Sequence, residues 1–261
     1  MKRKKIRNIK LTLEYDGTDF YGFQRQPGGV PTIQQALESA LEKLFREKTP
    51  IASASSRTDA GVHAEDQIVH FKTVHELSCS RLARAINHFL PPAISVKKAE
   101  EVSENFHARF QPISKIYEYY IWNHSSRPAI GRNFVHHEPA PLKIEAMKKA
   151  AKYFLGKHDF RAFTSEDRIV KGRGASKAKI SFARTIQKLT IQKKSSKIVF
   201  TFQADGFLYH MVRNIAGTLV AVGKGKLAAE SIPRILKSRD RKQAAATLPA
   251  RGLCLKRVIY P

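Results

Sequence analysis

Two periodicities alternate along this chain, and their order restricts its fold more than any single residue does. Ile9 to Tyr15 alternates apolar and polar side chains, as a half-buried strand must, and Asp16-Gly17 stops it. Thr32 and Gln35 form a capping-box pair, and Ile33, Ala36, Leu37, Ala40, Leu41 and Leu44 then fall on one helical face that Pro50 ends. Short strands over Ile51 to Ala54 and Gln67 to Lys72 follow, joined by a Ser55 to His63 loop. Leu82 to Phe89 reads as a helix stopped by Pro91-Pro92, and Ile94 to Ala99 returns as a strand. After about residue 105 the order begins again. Lys115 to Trp122 is a strand that sends Tyr117, Tyr119 and Ile121 to one face, and Ile144 to Leu155 is a helix. Thr185 to Gln192 and Lys197 to Gln203 form a hairpin around Ser195-Ser196. Leu208, Met211, Val212, Ile215, Leu219 and Val222 share a helical face with Asp205 as N-cap, Ser231 to Leu236 is a short helix, and Leu255 to Tyr260 is a closing strand. The expected fold class is α+β: two ferredoxin-like β-α-β-β-α-β units with mostly antiparallel sheets and helices on one face, in domains 1–105 and 106–261.

Charge narrows the partner. The 261 residues carry 47 Lys and Arg against 22 Asp and Glu, a net charge of +25. Residues 1–100 hold 16 basic and 11 acidic side chains and residues 101–261 hold 31 and 11, so the excess lies in the second part, where phosphate contacts are expected. A polyanion is the natural partner. No apolar run reaches the roughly 18 residues of a membrane span, and Met1-Lys2-Arg3-Lys4-Lys5 precedes no signal-type apolar block, so a cytoplasmic location is expected. The stretch Asp167 to Lys179 is expected to be a mobile basic loop.

Metal and nucleotide chemistry find little support. Cys79 and Cys254 are far apart, both expected to be buried thiols, and the ten His residues show no His-Glu-x-x-His spacing. Gly223-Lys224-Gly225-Lys226 follows a helix and lacks the Ser or Thr of a phosphate-binding loop, so it reads as a helix end. No metal and no cofactor are expected. The segment Ser55-Ser56-Arg57-Thr58-Asp59-Ala60-Gly61-Val62-His63-Ala64 gathers hydroxyls, a cation and a carboxylate between two strands. The residues alone leave it open between a turn and a site, because Asp, Gly, Ser and Thr are also ordinary turn formers.

The whole chain from Ile9 to Tyr260 nevertheless resembles the A-type tRNA pseudouridine synthases. The resemblance rests on that segment and on four further stretches: Tyr15-Asp16-Gly17-Thr18-x-Phe20-x-Gly22-x-Gln24, Phe106-His107-Ala108-Arg109-Phe110, Lys115-x-Tyr117-x-Tyr119, and Asp205 to Asn214 with the late Gly252-Leu253. It implies a tRNA-modifying isomerase acting on uridines at tRNA positions 38 to 40, a homodimer, and an active-site cleft between the two units. By resemblance Asp59 is the nucleophile, Arg213 its charge partner, Tyr117 the aromatic against the target base, and Arg57 a holder of the flipped nucleotide; His63 and Leu208 complete the expected substrate contacts. Chemistry agrees with these roles. A guanidinium holds a carboxylate ionised and oriented by a bidentate pair, and a Tyr offers a flat face to an unstacked base. Tyr117 also suits a core strand, Arg213 a helix surface, and His63 a hydrogen-bonded loop. Ser56, where bacterial members often carry Gly, and Arg251, where His is common, depart from the pattern. An RNA-binding protein without catalysis would suit the charge equally, but gives no reason for a carboxylate where RNA approaches; a carboxylate-based nuclease or glycosidase would need a second acid and usually a metal.

Overall fold

The computed structural model describes residues 5–47, 53–165 and 181–261. The expected loop at Asp167 to Lys179 and the first two residues of the expected strand from Ile51 lie outside them. Five α-helices and ten mostly antiparallel strands occur among the described residues, a mixed α/β architecture. They divide into two compact units, the first comprising the chain up to Lys115 together with Cys254–Pro261 and the second Ile116–Leu253.

In the first unit, β1 (Arg7–Tyr15) lies between β4 (Ile94–Val102) and β3 (His63–Thr73), antiparallel to both. The expected alternation holds: Ile9, Leu11, Leu13 and Tyr15 are buried, while Lys10, Thr12 and Glu14 are more open. On its far edge β3 meets β2 (Ser53–Ala54) antiparallel at His70 and Val69, and β10 (Leu253–Ile259) parallel at His63 and Ala64. The strand expected to close a second repeat therefore pairs with β3, whose first residues would otherwise leave edge N–H and C=O groups unmatched. β3 itself begins four residues earlier than the apolar pattern suggests, because His63 and Ala64 already pair.

Helix α1 (Ile33–Phe45) starts as its capping pair requires, with Thr32 Oγ1 accepting the Gln35 N–H at 3.3 Å. It ends at Arg46 in the left-handed region, before the expected Pro50 stop. Helix α2 (Cys79–Phe89) begins earlier than its apolar face implies and buries Leu82 and Ile86. Cys254 is buried as expected, but Cys79 is only half-buried, at the first turn of α2, where the Arg7 guanidinium reaches its Sγ at 3.8 Å.

In the second unit β5 (Ser114–Trp122), β9 (Lys197–Ala204), β8 (Ala183–Lys194) and β7 (Gly156–Asp159) lie side by side in that order, with β6 (His136–His137) parallel to the end of β5. β8 and β9 form the expected hairpin, turning at Ser195 with φ 53°. Tyr117, Tyr119 and Ile121 are buried and their strand neighbours less so, as the alternation requires. Helix α3 (Ile144–Lys152) packs its Met147 against the end of α4 (Met211–Gly223), where a Cβ on Gly223 would lie 2.6 Å from Met147 Sδ. The Gly223 to Lys226 segment ends α4: Lys226 N–H returns to Ala221 O and Gly225 adopts φ +73°. The expected N-terminus of this helix is corrected. Asp205 accepts the Thr185 N–H instead of capping, and Leu208 sits in the turn before α4, which starts only after His210 at φ 60°. The Asp205 carboxylate ties one strand to the next, and α4 begins too far along the chain, at Met211, for it to reach the first N–H groups of the helix. Helix α5 (Ile232–Ser238) follows.

Two half-buried histidines give the fold a pH dependence. Burial pushes the pKa of both His70 and His136 below 6.5, with the His107 ring adding to the shift at His70 and Arg251 at His136, where Glu138 opposes it. Ala108 N–H donates to His70 Nδ1 at 3.3 Å, a bond that only the neutral ring accepts. A lowered folded-state pKa means that the stability contributed is complete above the unfolded value and is lost as pH falls through the folded one. The melting temperature is therefore expected to fall between about pH 7.5 and about pH 5.5, and to fall less in a His70→Asn/His136→Asn variant. A wild-type melting temperature that holds constant across that range would contradict this account.

Candidate active site

The Asp59 loop, between β2 and β3, is fixed from several sides within the first unit. Gln67, completely buried in β3, engages the loop through both ends of its amide. Oε1 accepts from Ser55 Oγ at 2.6 Å and Ser56 N at 3.3 Å, while Nε2 donates to Ser56 O at 2.9 Å and Tyr15 Oη at 3.3 Å. Tyr15 Oη in turn meets Thr58 Oγ1 at 2.7 Å, and Lys115 Nζ donates to Ser55 O at 2.7 Å. Phe23 N–H bonds Thr58 O at 3.0 Å, Gly61 N–H bonds Phe20 O at 3.2 Å, and Val62 N–H closes a turn onto Asp59 O at 3.2 Å. Buried amides and hydroxyls satisfied this completely make a rigid loop, since each broken bond would strand a polar group away from water.

Two glycines allow the segment after β1 to lie against that loop. A Cβ on Gly17 would fall 2.0 Å from Val62 O, and one on Gly22, itself at φ +91°, 2.6 Å from Thr58 O and 3.1 Å from Asp59 C. The Tyr15 to Gln24 block is thus a wall behind the backbone of the Asp59 loop. His63 belongs to the same wall: it is buried, and Nδ1 accepts the Gly17 N–H at 3.1 Å. The Asp16 carboxylate is also 3.1 Å from Nδ1, but one nitrogen lone pair serves one donor, and Asp16 Oδ1 is satisfied by Thr18 N–H at 2.9 Å and Thr18 Oγ1 at 2.6 Å. Asp59 is partly open to solvent and Arg57 is exposed. Partial desolvation by the surrounding protein and, after it, the neighbouring Arg109 charge hold the Arg57 guanidinium below its usual pKa.

The second unit carries the other three expected residues. The Tyr117 ring, 7% exposed, meets Phe207 edge-on with centroids 5.2 Å apart, and Leu208 beside it is buried. Two residues along β5, Tyr119 is fully buried and donates to Pro249 O at 2.8 Å. Burial pushes its phenol pKa far up, opposed by the charges of Arg213 and Arg251. Arg213, in the first turn of α4, is half-buried, with Nε donating to Leu248 O at 2.7 Å, and Leu248 N–H returns to Arg213 O at 3.3 Å. Asn214 next to it accepts from Thr247 Oγ1 and Arg241, and Gly217 lets Ala246 O approach to 2.0 Å from where its Cβ would be. The guanidinium is therefore oriented by the 246–249 segment, an anchor that a surface Arg would lack. Gly252 has a matching reason: its Cβ would strike Tyr119 Cζ at 2.7 Å.

Comparison with known proteins bears on this geometry. A family profile described as tRNA pseudouridine synthase matches residues 12–111 and 150–261, which include every brace around Asp59 except Lys115 and, in the second unit, the α4 anchor. The chain belongs to that family. Among the pseudouridine synthases it is similar to "tRNA pseudouridine synthase A 2" of Clostridium perfringens, 46% identical over 98% of this chain and 100% of the relative. It is likewise similar to the tRNA pseudouridine synthases A of Clostridium kluyveri, at 43%, and Acetivibrio thermocellus, at 42%, with the same coverage. Similarity of this extent makes the chain an A-type synthase, an isomerase that forms pseudouridine in tRNA. Among the described residues no group of three or more His, Cys, Asp and Glu could hold a metal, and no helix is long and apolar enough to cross a membrane.

The synthase residues that the sequence alone did not reveal are the supporting ones. Gln67 is readable only as the start of a strand, yet it occupies an inward position in the same parity as Val69 and Phe71. A polar residue at a core parity is the available signal, since a buried amide must find partners.

Proposed function

We propose that this synthase acts on uridines of the tRNA anticodon stem-loop, at positions 38 to 40, with Asp59 as the group that opens the bond between uracil N1 and ribose C1′. The observation that carries the reading is the Asp59 loop itself: a partly open carboxylate on a backbone whose Ser55, Ser56, Thr58 and Gly61 are all tied down. A surface turn needs no such bracing, whereas a nucleophile must be held in position. Asp59 acts either by attack on the sugar or by promoting a glycal intermediate. The N1–C1′ bond breaks, the detached uracil rotates, C5 bonds to C1′, and the C5 proton is lost as N1 gains one. Because uracil is both leaving group and attacking group, the isomerisation balances with no external reactant.

In this reading Arg213 pairs with Asp59 and keeps it ionised, Tyr117 with Leu208 supplies the apolar surface for the base, and Tyr117 helps remove the C5 proton. Arg57 holds the flipped nucleotide, and His63 positions the loop. The two units are read as ferredoxin-like, supported in the first by the order β4-β1-β3-β2. The basic surface gathers tRNA through its phosphates, so affinity falls steeply with salt. A cytoplasmic homodimer completes the proposal.

Site choice is tested with transcripts of one tRNA in which uridines 38, 39 and 40 are changed to cytidine singly and together, mapping pseudouridine by carbodiimide primer extension. Modification is expected at each uridine retained in that window and at no position in the triple variant. Pseudouridine appearing outside the window would sink the anticodon assignment while leaving Asp59 untouched.

A further inference from the structure

The Phe106 to Phe110 block, which the proposed chemistry does not use, builds an exposed stack beside the Asp59 loop within the first unit. Ala108 is its anchor. It is fully buried, its N–H donates to His70 on β3 at 3.3 Å, and its C=O accepts from Tyr260 Oη at 2.7 Å. Held at both polar atoms, Ala108 turns the residues on either side outward. His107 meets His70 with ring centroids 4.8 Å apart, and Phe110 stacks on His107 at 4.4 Å and an interplanar angle of 29°. The Arg109 guanidinium lies 5.6 Å from the Phe110 centroid, and His107 Nδ1 accepts the Arg109 N–H at 3.2 Å.

What this stack presents to solvent is unusual for a folded surface. Phe110 is 75% exposed although its backbone is fixed. Arg57, on the Asp59 loop, is close enough to Arg109 for the two charges to repel, and its guanidinium makes no hydrogen bond or ion pair among the described residues. An open aromatic face costs hydration, and two adjacent cations without a carboxylate cost repulsion. A nucleotide would relieve both at once, its base on the ring and its phosphate between the guanidiniums.

We propose that Phe110, backed by His107 and flanked by Arg109 and Arg57, is a stacking platform for an unpaired tRNA base that neighbours the target uridine. The proposal rests on the anticodon-loop reading above, where unpaired bases lie beside the substrate. The platform serves a neighbour rather than the reacting base because its ring is open, whereas Tyr117, the base-facing aromatic of the chemistry, is 7% exposed.

The test uses the full chain and a full-length tRNA carrying 2-aminopurine at one unpaired anticodon-loop position at a time. Wild type is expected to quench or shift the fluorescence at one such position. Phe110→Ala should abolish that signal, weaken tRNA binding about tenfold, and leave the single-turnover rate at saturating enzyme within about twofold. Phe110→Trp should restore both signal and affinity, which a merely structural role would not produce. Arg109→Gln supplies a second variant, should Phe110→Ala melt abnormally, and is expected to weaken binding and flatten its salt dependence. Wild-type affinity in both Phe110→Ala and Arg109→Gln, or a fluorescence response unchanged by Phe110→Ala, overturns the platform. Because these readouts record binding, they remain interpretable if pseudouridine maps elsewhere, a result that would count against the anticodon reading alone.

Discussion

Asp59→Asn should bind tRNA with an affinity close to that of the wild type and form pseudouridine at least about 10³-fold more slowly. The substitution exchanges one carboxylate oxygen for an amide nitrogen and leaves the shape of the side chain. Many contacts that hold the loop come from other atoms: Asp59 O receives Val62 N–H, Thr58 is held by Phe23 N–H and Tyr15 Oη, and Gln67 secures Ser55 and Ser56. The melting temperature should accordingly stay within a few degrees of the wild type. An amide neither attacks an anomeric carbon usefully nor accepts a proton near neutral pH, so the chemical step is expected to collapse. Arg213→Lys should fall between the two enzymes, because an ammonium keeps the charge but loses both the fork and the Nε–H that Leu248 O now fixes. Single-turnover conversion with enzyme in excess separates these effects from binding. Conversion by Asp59→Asn at the wild-type rate would remove Asp59 from the chemistry, and a parallel loss of tRNA affinity would make it a binding residue instead.

How far these elements could be read from the sequence depended on how local their causes are. The Thr32 cap, the β5 alternation and the Ser195 hairpin follow from interactions within a few residues, and the structure has them where the pattern puts them. The start of α4 shows the limit. Asp205 has the composition of an N-cap, but the Thr185 N–H on a neighbouring strand claims its carboxylate, and no local pattern reports a partner 20 residues away. The partner of β10 was equally hidden, because an edge left open at His63 and Ala64 is a property of the assembled sheet. In the candidate site, the proposed reactive residue types and their motif were legible, but the reason the Asp59 loop is held so firmly was not. That reason lies in Gln67, Tyr15, Gly17 and Gly22, whose contacts reach across 11 to 52 residues of sequence in the case of Gln67 alone.

Gly22→Ala should lower the rate of pseudouridine formation by one to two orders of magnitude, on the order of what an ångström-scale misplacement of a catalytic group costs, although residue 22 carries no reactive atom. Two penalties fall on the same backbone. Gly22 stands at φ +91°, a conformation that an L side chain adopts only at a cost of about 1 kcal/mol or more. The new methyl would also lie 2.6 Å from Thr58 O and 3.1 Å from Asp59 C, both backbone atoms with no flexible end to move aside. Relief requires either that the 20–24 segment retreat, breaking Phe23 N–H to Thr58 O and Ile33 N–H to Gly22 O, or that the loop carrying Asp59 shift. Either response is expected to lower the melting temperature as well, but the diagnostic quantity is the rate at a temperature where the variant is fully folded. A folded Gly22→Ala enzyme with the wild-type single-turnover rate would show that Asp59 tolerates movement of its wall, and the bracing that supports the proposed chemistry would then be structural. A folded enzyme that binds tRNA normally but turns it over slowly would identify the Tyr15 to Gln24 block as the part of this fold that aims the carboxylate.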